Sequence, residues 1–150
     1  MIGSPAPDFT AQTESGPVSL SDFRGKKLVL YFYPKDDTPG CTIEARGFRD
    51  HHAAIAAKNA VVLGVSKDTL KKHGTWKAKE CLPFSLVSDT DAEPARLCEK
   101  YGAWRMKKLY GREYMGIARI TVVIDEAGIV RNVIDPVKAN GHAEEILGLL

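Results

Sequence analysis

Residues 28–41 read LVLYFYPKDDTPGC. The first six of them form an unbroken apolar run closed by a proline, which is typical of a buried central strand. An amphipathic stretch follows from Thr42 to about Lys58, so the segment predicts a strand, a short polar loop and a helix. Cys41 then lies at the start of the helix, where unpaired N–H groups and a partial positive charge favour a thiolate over a thiol. Because the thiolate is the nucleophilic form, the segment predicts a reactive cysteine.

The residues just before Cys41 suit a helix N-terminus. With Thr38 as N-cap, Pro39 takes the first helical position, where its missing N–H costs nothing. Gly40 leaves room for a small ligand to approach the backbone, and Pro34 is placed to cover the thiol from one side. A lone cysteine is more commonly a small buried hydrophobe, but these neighbours favour a reactive site.

Length and composition narrow the class of protein. With 150 residues, 44% hydrophobic and 27% charged, the chain suits one globular domain spanning residues 1–150. A net charge of +2 is too small to indicate nucleic acid or a membrane surface as a partner, and no apolar run is long enough to span a bilayer. The first residues lack the basic start and apolar run of a signal peptide, so the expected location is the cytoplasm. We expect the basic cluster at residues 105–108 to be a solvated loop.

The order of the other predicted elements indicates the fold class. Further strands are predicted at residues 17–20, 61–65, 84–87, 117–125 and 129–134. Further helices are predicted from a cap at residues 66–68 to about Glu80, from Asp91 to about Tyr101, and over residues 142–150. Strand and helix alternate early and a hairpin follows late. This order predicts an α/β sandwich with a mixed central sheet and helices on both faces.

Three stretches carry a resemblance to a known family. Residues 32–45 are similar to the motif around the peroxidatic cysteine of the peroxiredoxins, and residues 3–9 resemble the N-terminal segment of that family. Residues 116–125 resemble the strand that carries its active-site arginine. The similarity runs from about residue 3 to the C-terminus and is closest to the Q-type, or bacterioferritin-comigratory, subfamily. It implies a thioredoxin-like three-layer sandwich. The chain also lacks the cysteine-bearing C-terminal arm of dimeric two-cysteine members, which favours this subfamily and a monomer.

The resemblance implies a role for each matching residue. Cys41 would attack a peroxide as a thiolate and become a sulfenic acid. Arg119 would hold the sulfur ionised and hydrogen-bond the peroxide, while Thr38 would orient both through its hydroxyl. Pro34 would shield the sulfenate. Glu44, one turn along the helix from Cys41, is a candidate to brace Arg119.

The position of a second, resolving cysteine departs from the pattern. Many Q-type members carry it five residues after the peroxidatic cysteine, and others carry it on the following helix; those positions are Arg46 and Lys77 here. Cys81 is the first candidate for the resolving thiol, because four residues after Lys77 is the same helix face. Cys98 is a weaker candidate, since its surroundings indicate a core position. If neither resolves, the expected mechanism uses one cysteine and an external thiol. Arg46 could also stabilise the thiolate by reaching back one turn.

Several residues have a plainer structural interpretation. Arg119 could be a strand-edge arginine in a surface ion pair, although its strand is otherwise apolar. Residues 36–37 are two aspartates that we expect to be solvated loop residues. His51, His52 and His73 have no partner at ligand spacing and are expected on the surface or on a helix face.

The family resemblance implies a cytoplasmic thiol peroxidase that reduces hydrogen peroxide and organic hydroperoxides. It would need no metal, haem or flavin, and would take electrons from thioredoxin or a similar dithiol protein. An alternative from another class stays open: a peroxide-sensing or chaperone-like protein that uses Cys41 as a non-catalytic redox switch. The three cysteines form no C-x-x-C pair, which argues against a thioredoxin-type disulfide oxidoreductase.

Overall fold

The computed structural model describes residues 1–89 and 97–150, so the predicted helix start at Asp91 lies outside the described residues. In chain order the strands are β1 (Thr10–Thr13), β2 (Gly16–Ser19), β3 (Lys27–Phe32), β4 (Ala60–Ser66), β5 (Ser85–Ser88), β6 (Trp104–Leu109), β7 (Arg112–Ile117), β8 (Ile120–Ile124) and β9 (Val130–Ile134). The helices are α1 (Pro39–Asp50), α2 (His52–Ala57), α3 (Leu70–Glu80), α4 (Leu97–Lys100) and α5 (His142–Leu149), and a 3₁₀ turn covers Leu20–Phe23.

Strand β3 is the inner strand on which the main sheet is built. The sheet has seven strands in the order β2-β1-β5-β4-β3-β8-β9. β3 pairs in parallel with β4 and antiparallel with β8, so that Leu30 lies opposite both Leu63 and Val122. The predicted mixed sheet is thus confirmed. The continuous apolar run at residues 28–33 is explained because every one of those side chains is buried.

The two faces of β3 support two separate hydrophobic cores. Because side chains alternate along a strand, Leu28, Leu30 and Phe32 point to one face and Val29 and Tyr31 to the other. The first face packs on residues of α4, including Cys98. The second packs on residues of α1, α2, α3 and α5, including Cys41. Helices therefore cover both faces, as predicted, and the sheet separates Cys41 from Cys98.

A second, two-stranded sheet was not predicted. β6 and β7 form an antiparallel hairpin with Leu109 opposite Arg112, so the expected solvated loop at residues 105–108 is instead strand β6. Tyr110 and Gly111 form the two-residue turn, with φ of 51° and 76°. Positive φ at both positions is the requirement of the tightest hairpin turns, and a tyrosine is an uncommon residue to meet it.

Three predicted boundaries are wrong for local reasons. The strand predicted at residues 117–125 is interrupted at residues 118–119, where β7 ends and β8 begins. The helix predicted from Thr42 to Lys58 is divided at His51 into α1 and α2. The helix cap predicted at residues 66–68 is instead the next residue, Thr69, whose side chain accepts the hydrogen bond from the Lys72 N–H at 3.2 Å.

Candidate active site

Cys41 lies in the first turn of α1, on the inner side of the helix. Thr38 is the N-cap in extended conformation, Pro39 is the first helical residue, and the first helical hydrogen bond runs from the Thr42 N–H to the Thr38 carbonyl at 2.8 Å. The N–H groups of Gly40 and Cys41 therefore have no intrahelical acceptor and are available to a ligand. Only 1% of Cys41 is exposed, so the partial positive charge of the helix end acts on a sulfur that is largely shielded from water.

Arg119 joins the cysteine to a buried carboxylate. Its Nη2 donates to Cys41 Sγ at 3.3 Å, and its Nη1 donates to Glu44 Oε1 at 2.8 Å. Both contacts were anticipated, and they replace the surface ion pair that was the plainer interpretation of Arg119. Gly40 leaves the space for this arrangement, because a Cβ added there would lie 3.1 Å from Arg119 Nη2.

Glu44 is a buried carboxyl group with a shifted pKa. Burial raises the pKa of Glu44 to about 7, although the neighbouring Arg119 guanidinium acts in the opposite direction. Its Oε2 atom has no hydrogen-bond partner within residues 1–89 and 97–150, and His142 Nε2 lies 3.9 Å from it. Burial lowers the pKa of His142, which favours the neutral ring whose Nε2 contacts the Thr121 hydroxyl at 2.7 Å. Arg119 is therefore held in place by Glu44, a carboxyl group that titrates near neutrality.

Replacing Glu44 with glutamine is expected to change how stability depends on pH. Native Glu44 keeps its proton up to about pH 7, whereas the unfolded chain loses it near the ordinary value of 4.5. Between these values the native state binds more protons, so the free energy of unfolding falls as pH rises. Relative to Glu44→Gln, the free energy of unfolding of the wild type should fall by up to about 3 kcal/mol between these two pH values, at about 1.4 kcal/mol for each unit of pKa. Urea denaturation between pH 4 and 8 measures the difference, and parallel curves for the two proteins would contradict it.

Thr38 and Pro34, the two predicted site residues in the loop before α1, form no hydrogen bond with the Cys41 sulfur in the described part of the chain. The Thr38 hydroxyl donates to the Lys35 carbonyl at 2.9 Å and does not cap the helix with its side chain. Thr38 is half-buried and Pro34 is exposed. While it donates to the Lys35 carbonyl, the Thr38 hydroxyl can still orient a bound peroxide by accepting a hydrogen bond from it.

The hairpin β6–β7 brings an unforeseen lysine to the site. Lys107 is half-buried, and its pKa is lowered by burial and by the positive charge of Arg119, while the charge of Cys41 acts the other way. Its side chain packs on Gly116, where an added Cβ would lie 3.2 Å from Lys107 Cδ. Residues 104–107 alternate between apolar and basic side chains, but residues 112–117 do not alternate, so the sequence carries little local signal for this hairpin.

Two of the polar residues expected in solvent are buried instead. Asp36 is 5% exposed and His73 0% exposed, and Asp36 Oδ2 lies 2.6 Å from His73 Nδ1. The prediction of a solvated Asp36 was therefore wrong, and His73 lies on a face of helix α3, as one of its two alternatives had it, but on the buried face. Each residue supplies the partner that makes burial of the other tolerable. Asp37 is exposed as expected, and it pairs with Lys79 at 2.9 Å. His51 and His52, expected on the surface or a helix face, are half-buried.

The residues near the predicted resolving positions form a clamp between α1 and α3. The sequence left open that Arg46 reaches back one turn to Cys41. It turns instead to α3, where its Nε lies 2.6 Å from Glu80 Oε1. Arg49 Nη1 also donates to the Glu80 carbonyl at 3.0 Å. Cys81 follows directly as the exposed C-cap of α3, with φ of 54°, so it does not continue the helix face of Lys77 as expected.

Residues 1–89 and 97–150 lack the features of a metal site and of a membrane span. Those residues contain no group of three or more histidine, cysteine, aspartate or glutamate side chains that could hold a metal ion. Among the helices described there, none has the length and apolar character required to cross a membrane.

The amino-acid sequence is similar to a known protein family along most of its length. The AhpC/TSA family model matches residues 2–133. Peroxiredoxin Bcp of Bacillus subtilis is 47% identical over 150 residues, which cover 99% of this chain and 94% of that protein. Peroxiredoxin Bcp of Escherichia coli is 39% identical over 149 residues, covering 99% of this chain and 94% of that protein.

Solved structures show the same similarity in three dimensions. A PrxQ variant from Xylella fastidiosa superimposes with a TM-score of 0.91 and 36% identity, covering 99% of this chain and 94% of that one. The bacterioferritin comigratory protein of Xanthomonas campestris, studied for its alkyl peroxide reduction activity, has a TM-score of 0.87 and 35% identity, covering 94% of this chain and 88% of that one. The predicted thioredoxin-like sandwich is confirmed by these similarities.

Proposed function

The chain belongs to the AhpC/TSA family, as a peroxiredoxin of the Bcp or Q type, and from this premise we propose that Cys41 is its peroxidatic cysteine. The protein is a thiol-dependent peroxidase, which reduces peroxides at the expense of a thiol. The observation that carries the assignment to Cys41 is its contact with Arg119 Nη2 at 3.3 Å in the first turn of α1. A cation and a helix N-terminus both favour the thiolate at that position.

The proposed first step oxidises the sulfur and reduces the peroxide. The Cys41 thiolate attacks the terminal oxygen of ROOH, so that an S–O bond forms as the O–O bond breaks. The sulfur becomes a sulfenic acid, and RO⁻ leaves and takes a proton to become ROH. Arg119 and the N–H groups of Gly40 and Cys41 face the charge that shifts from sulfur to the leaving oxygen. Thr38 orients the peroxide through its hydroxyl, and Pro34 limits the access of water.

For the second step we propose Cys81 as the resolving thiol. Attack of the Cys81 thiol on the sulfenic acid releases water and forms a disulfide, which an external dithiol then reduces. Cys81 is exposed and precedes Leu82, a member of the core cluster that contains Cys41. Cys98 packs in the cluster on the other face of the sheet, and a disulfide requires Cα atoms within about 7 Å. The clamp of Glu80 with Arg46 and Arg49 has to open for Cys81 to reach Cys41.

Mass spectrometry of the intact protein tests both steps. After one equivalent of hydrogen peroxide, we expect the reduced protein to lose two hydrogens, with peptide mapping to a Cys41–Cys81 disulfide. Cys81→Ser should instead gain one oxygen at Cys41, because the sulfenic acid has no intramolecular partner, while Cys98→Ser should behave as the wild type. Oxygen addition confined to Cys41 in the wild type would replace our assignment of Cys81 with a one-cysteine mechanism. Oxidation elsewhere with Cys41 unchanged would overturn the assignment of Cys41 itself.

The same site also supports a proposal for which peroxides are reduced and which thiol supplies the electrons. We propose hydrogen peroxide and organic hydroperoxides as substrates, since the sulfur is nearly enclosed and admits a slender O–O group. We propose thioredoxin or a similar dithiol protein as the reductant, acting on a monomer in the cytoplasm. Steady-state peroxide consumption with a thioredoxin system, compared with a monothiol such as glutathione, tests the reductant. Equal rates with the monothiol would contradict a dithiol partner.

A further inference from the structure

A group of three buried polar side chains, Tyr33, Asp36 and His73, lies at the active-site loop and has no part in the chemistry described above. Tyr33 OH donates to Asp36 Oδ1 at 2.6 Å, Asp36 Oδ2 lies 2.6 Å from His73 Nδ1, and His73 Nε2 lies 2.9 Å from the Val87 carbonyl oxygen. Tyr33, Asp36 and His73 are all buried. Burial raises the pKa of Tyr33 well above its ordinary value, so its hydroxyl keeps its proton and remains a donor.

The donors and acceptors of this group can be assigned from its partners. The Val87 carbonyl only accepts, so His73 Nε2 carries a proton and donates it. His73 Nδ1 and Asp36 Oδ2 then share one proton, because two bare acceptors at 2.6 Å would repel each other. The proton makes the pair an imidazolium with a carboxylate, or a neutral imidazole with a carboxylic acid. In both forms every hydrogen bond of the group is satisfied.

The group fixes the middle of the loop that precedes Cys41. The loop between β3 and α1 spans residues 33–38, and the Asp36 side chain is turned inward from it to His73 of α3. The Asp36 N–H also donates to Asp68 Oδ2 at 2.6 Å, and Asp37 next to it has a positive φ of 59°. Two contacts to the α3 side of the molecule thus hold one residue of a short loop. The loop in turn ends at Thr38, the N-cap of the helix that carries Cys41.

We propose that His73 is a positioning residue of the peroxidatic site: through Asp36 it holds the loop of residues 33–38 in the conformation that sets Thr38 as the N-cap of the helix carrying Cys41. The proposal rests on the assignment of Cys41 as the peroxidatic cysteine. His73 does not contact the reacting atoms, so its effect is on geometry alone. If the contact with His73 is lost, the Asp36 carboxylate is left buried beside Tyr33, and the loop is expected to move outward to hydrate it.

Two substitutions of His73 separate this positioning role from general stability. His73→Asn places an amide N–H₂ where Nδ1 was, so it keeps the contact with Asp36 and loses the one with Val87. His73→Gln places the amide where Nε2 was, so it keeps Val87 and loses Asp36. Each variant loses one buried hydrogen bond, and His73→Gln should lose more stability because it leaves the Asp36 carboxylate without its partner, so the two are compared where urea denaturation shows both fully folded. Misplacement of an active-site group by about 1 Å can cost about 100-fold in rate.

The readout is the second-order rate constant of Cys41 oxidation by hydrogen peroxide, from rapid-quench mass spectrometry. We expect His73→Gln to be slower than the wild type by roughly 10- to 100-fold, and His73→Asn to stay within about threefold. Asp36→Asn should also stay within about threefold, because its amide accepts from Tyr33 and donates to a neutral His73. Equal rates for His73→Gln and His73→Asn, with both variants fully folded, would overturn the proposal. That result would leave the proposed peroxidase function intact, provided that Cys41 is still the residue oxidised.

The shared proton gives a measurement that is independent of rate. In protein labelled with ¹⁵N-histidine, we expect the proton that faces the Val87 carbonyl to be seen on the His73 Nε2. The signal is assigned by its loss in His73→Asn. A neutral ring with its only proton on Nδ1 would leave Nε2 facing the Val87 carbonyl as acceptor to acceptor, and this result would refute the assignment of the group.

Discussion

Replacing Cys41 with serine is expected to abolish peroxide turnover, which is the largest effect of any single change in this chain. A serine hydroxyl stays protonated at neutral pH even beside Arg119, and it has no oxidation state that corresponds to a sulfenic acid. The variant should fold, because the hydroxyl occupies nearly the same volume and the Arg119 N–H group can donate to it. The measurement is steady-state peroxide consumption with a thioredoxin system.

Two further substitutions show whether the loss is specific to this thiol. Cys98→Ser should retain turnover, since Cys98 packs on the opposite face of the central sheet. Cys81→Ser should retain the first oxidation of Cys41 and lose turnover only with a reductant that needs the disulfide. Turnover retained by Cys41→Ser would refute the peroxidatic assignment. One oxidation of wild-type Cys41 without any turnover would instead favour the redox-switch alternative.

The strand, loop and helix around Cys41 could be predicted because their signals are local. The apolar run, the proline that closes it and the Thr-Pro-Gly sequence before the cysteine lie within residues 28–41. The contact with Arg119 spans 78 positions of sequence, and no periodicity connects the two residues. Arg119 was found through family resemblance. The apolar pattern alone placed it inside a strand, whereas it lies in the break between β7 and β8.

The remaining errors come from interactions that depend on tertiary structure. A charged loop residue such as Asp36 is expected in water unless a partner enters the core with it, and that partner, His73, is 37 positions away. The β6–β7 hairpin was missed because its turn uses Tyr110, whose positive φ is unfavourable for an aromatic residue. Arg46 could equally have faced Cys41 or α3, and only the position of Glu80 decides between them.

Replacing Arg119 with alanine is expected to give the second-largest effect, a loss of about 100- to 1,000-fold in the rate of Cys41 oxidation, comparable to removing one donor from an oxyanion hole. Without the guanidinium 3.3 Å from the sulfur, the reacting atoms lose a cationic hydrogen-bond donor, and rapid-quench mass spectrometry measures the rate of Cys41 oxidation directly. The oxidation rate of Arg119→Lys should fall between those of the wild type and Arg119→Ala, because one ammonium group cannot donate to both Cys41 and Glu44 with the geometry of the guanidinium.

Loss of Arg119 also leaves Glu44 as a buried carboxyl group without its hydrogen-bond donor, so a slow variant could simply be a poorly folded one. The double variant Arg119→Ala with Glu44→Gln separates these effects, since it removes the carboxylate together with its partner. We expect this variant to regain stability in urea denaturation but to remain as slow as Arg119→Ala alone. Recovery of the rate along with the stability would mean that Arg119 acts by supporting the fold, and the catalytic role proposed for it would be wrong.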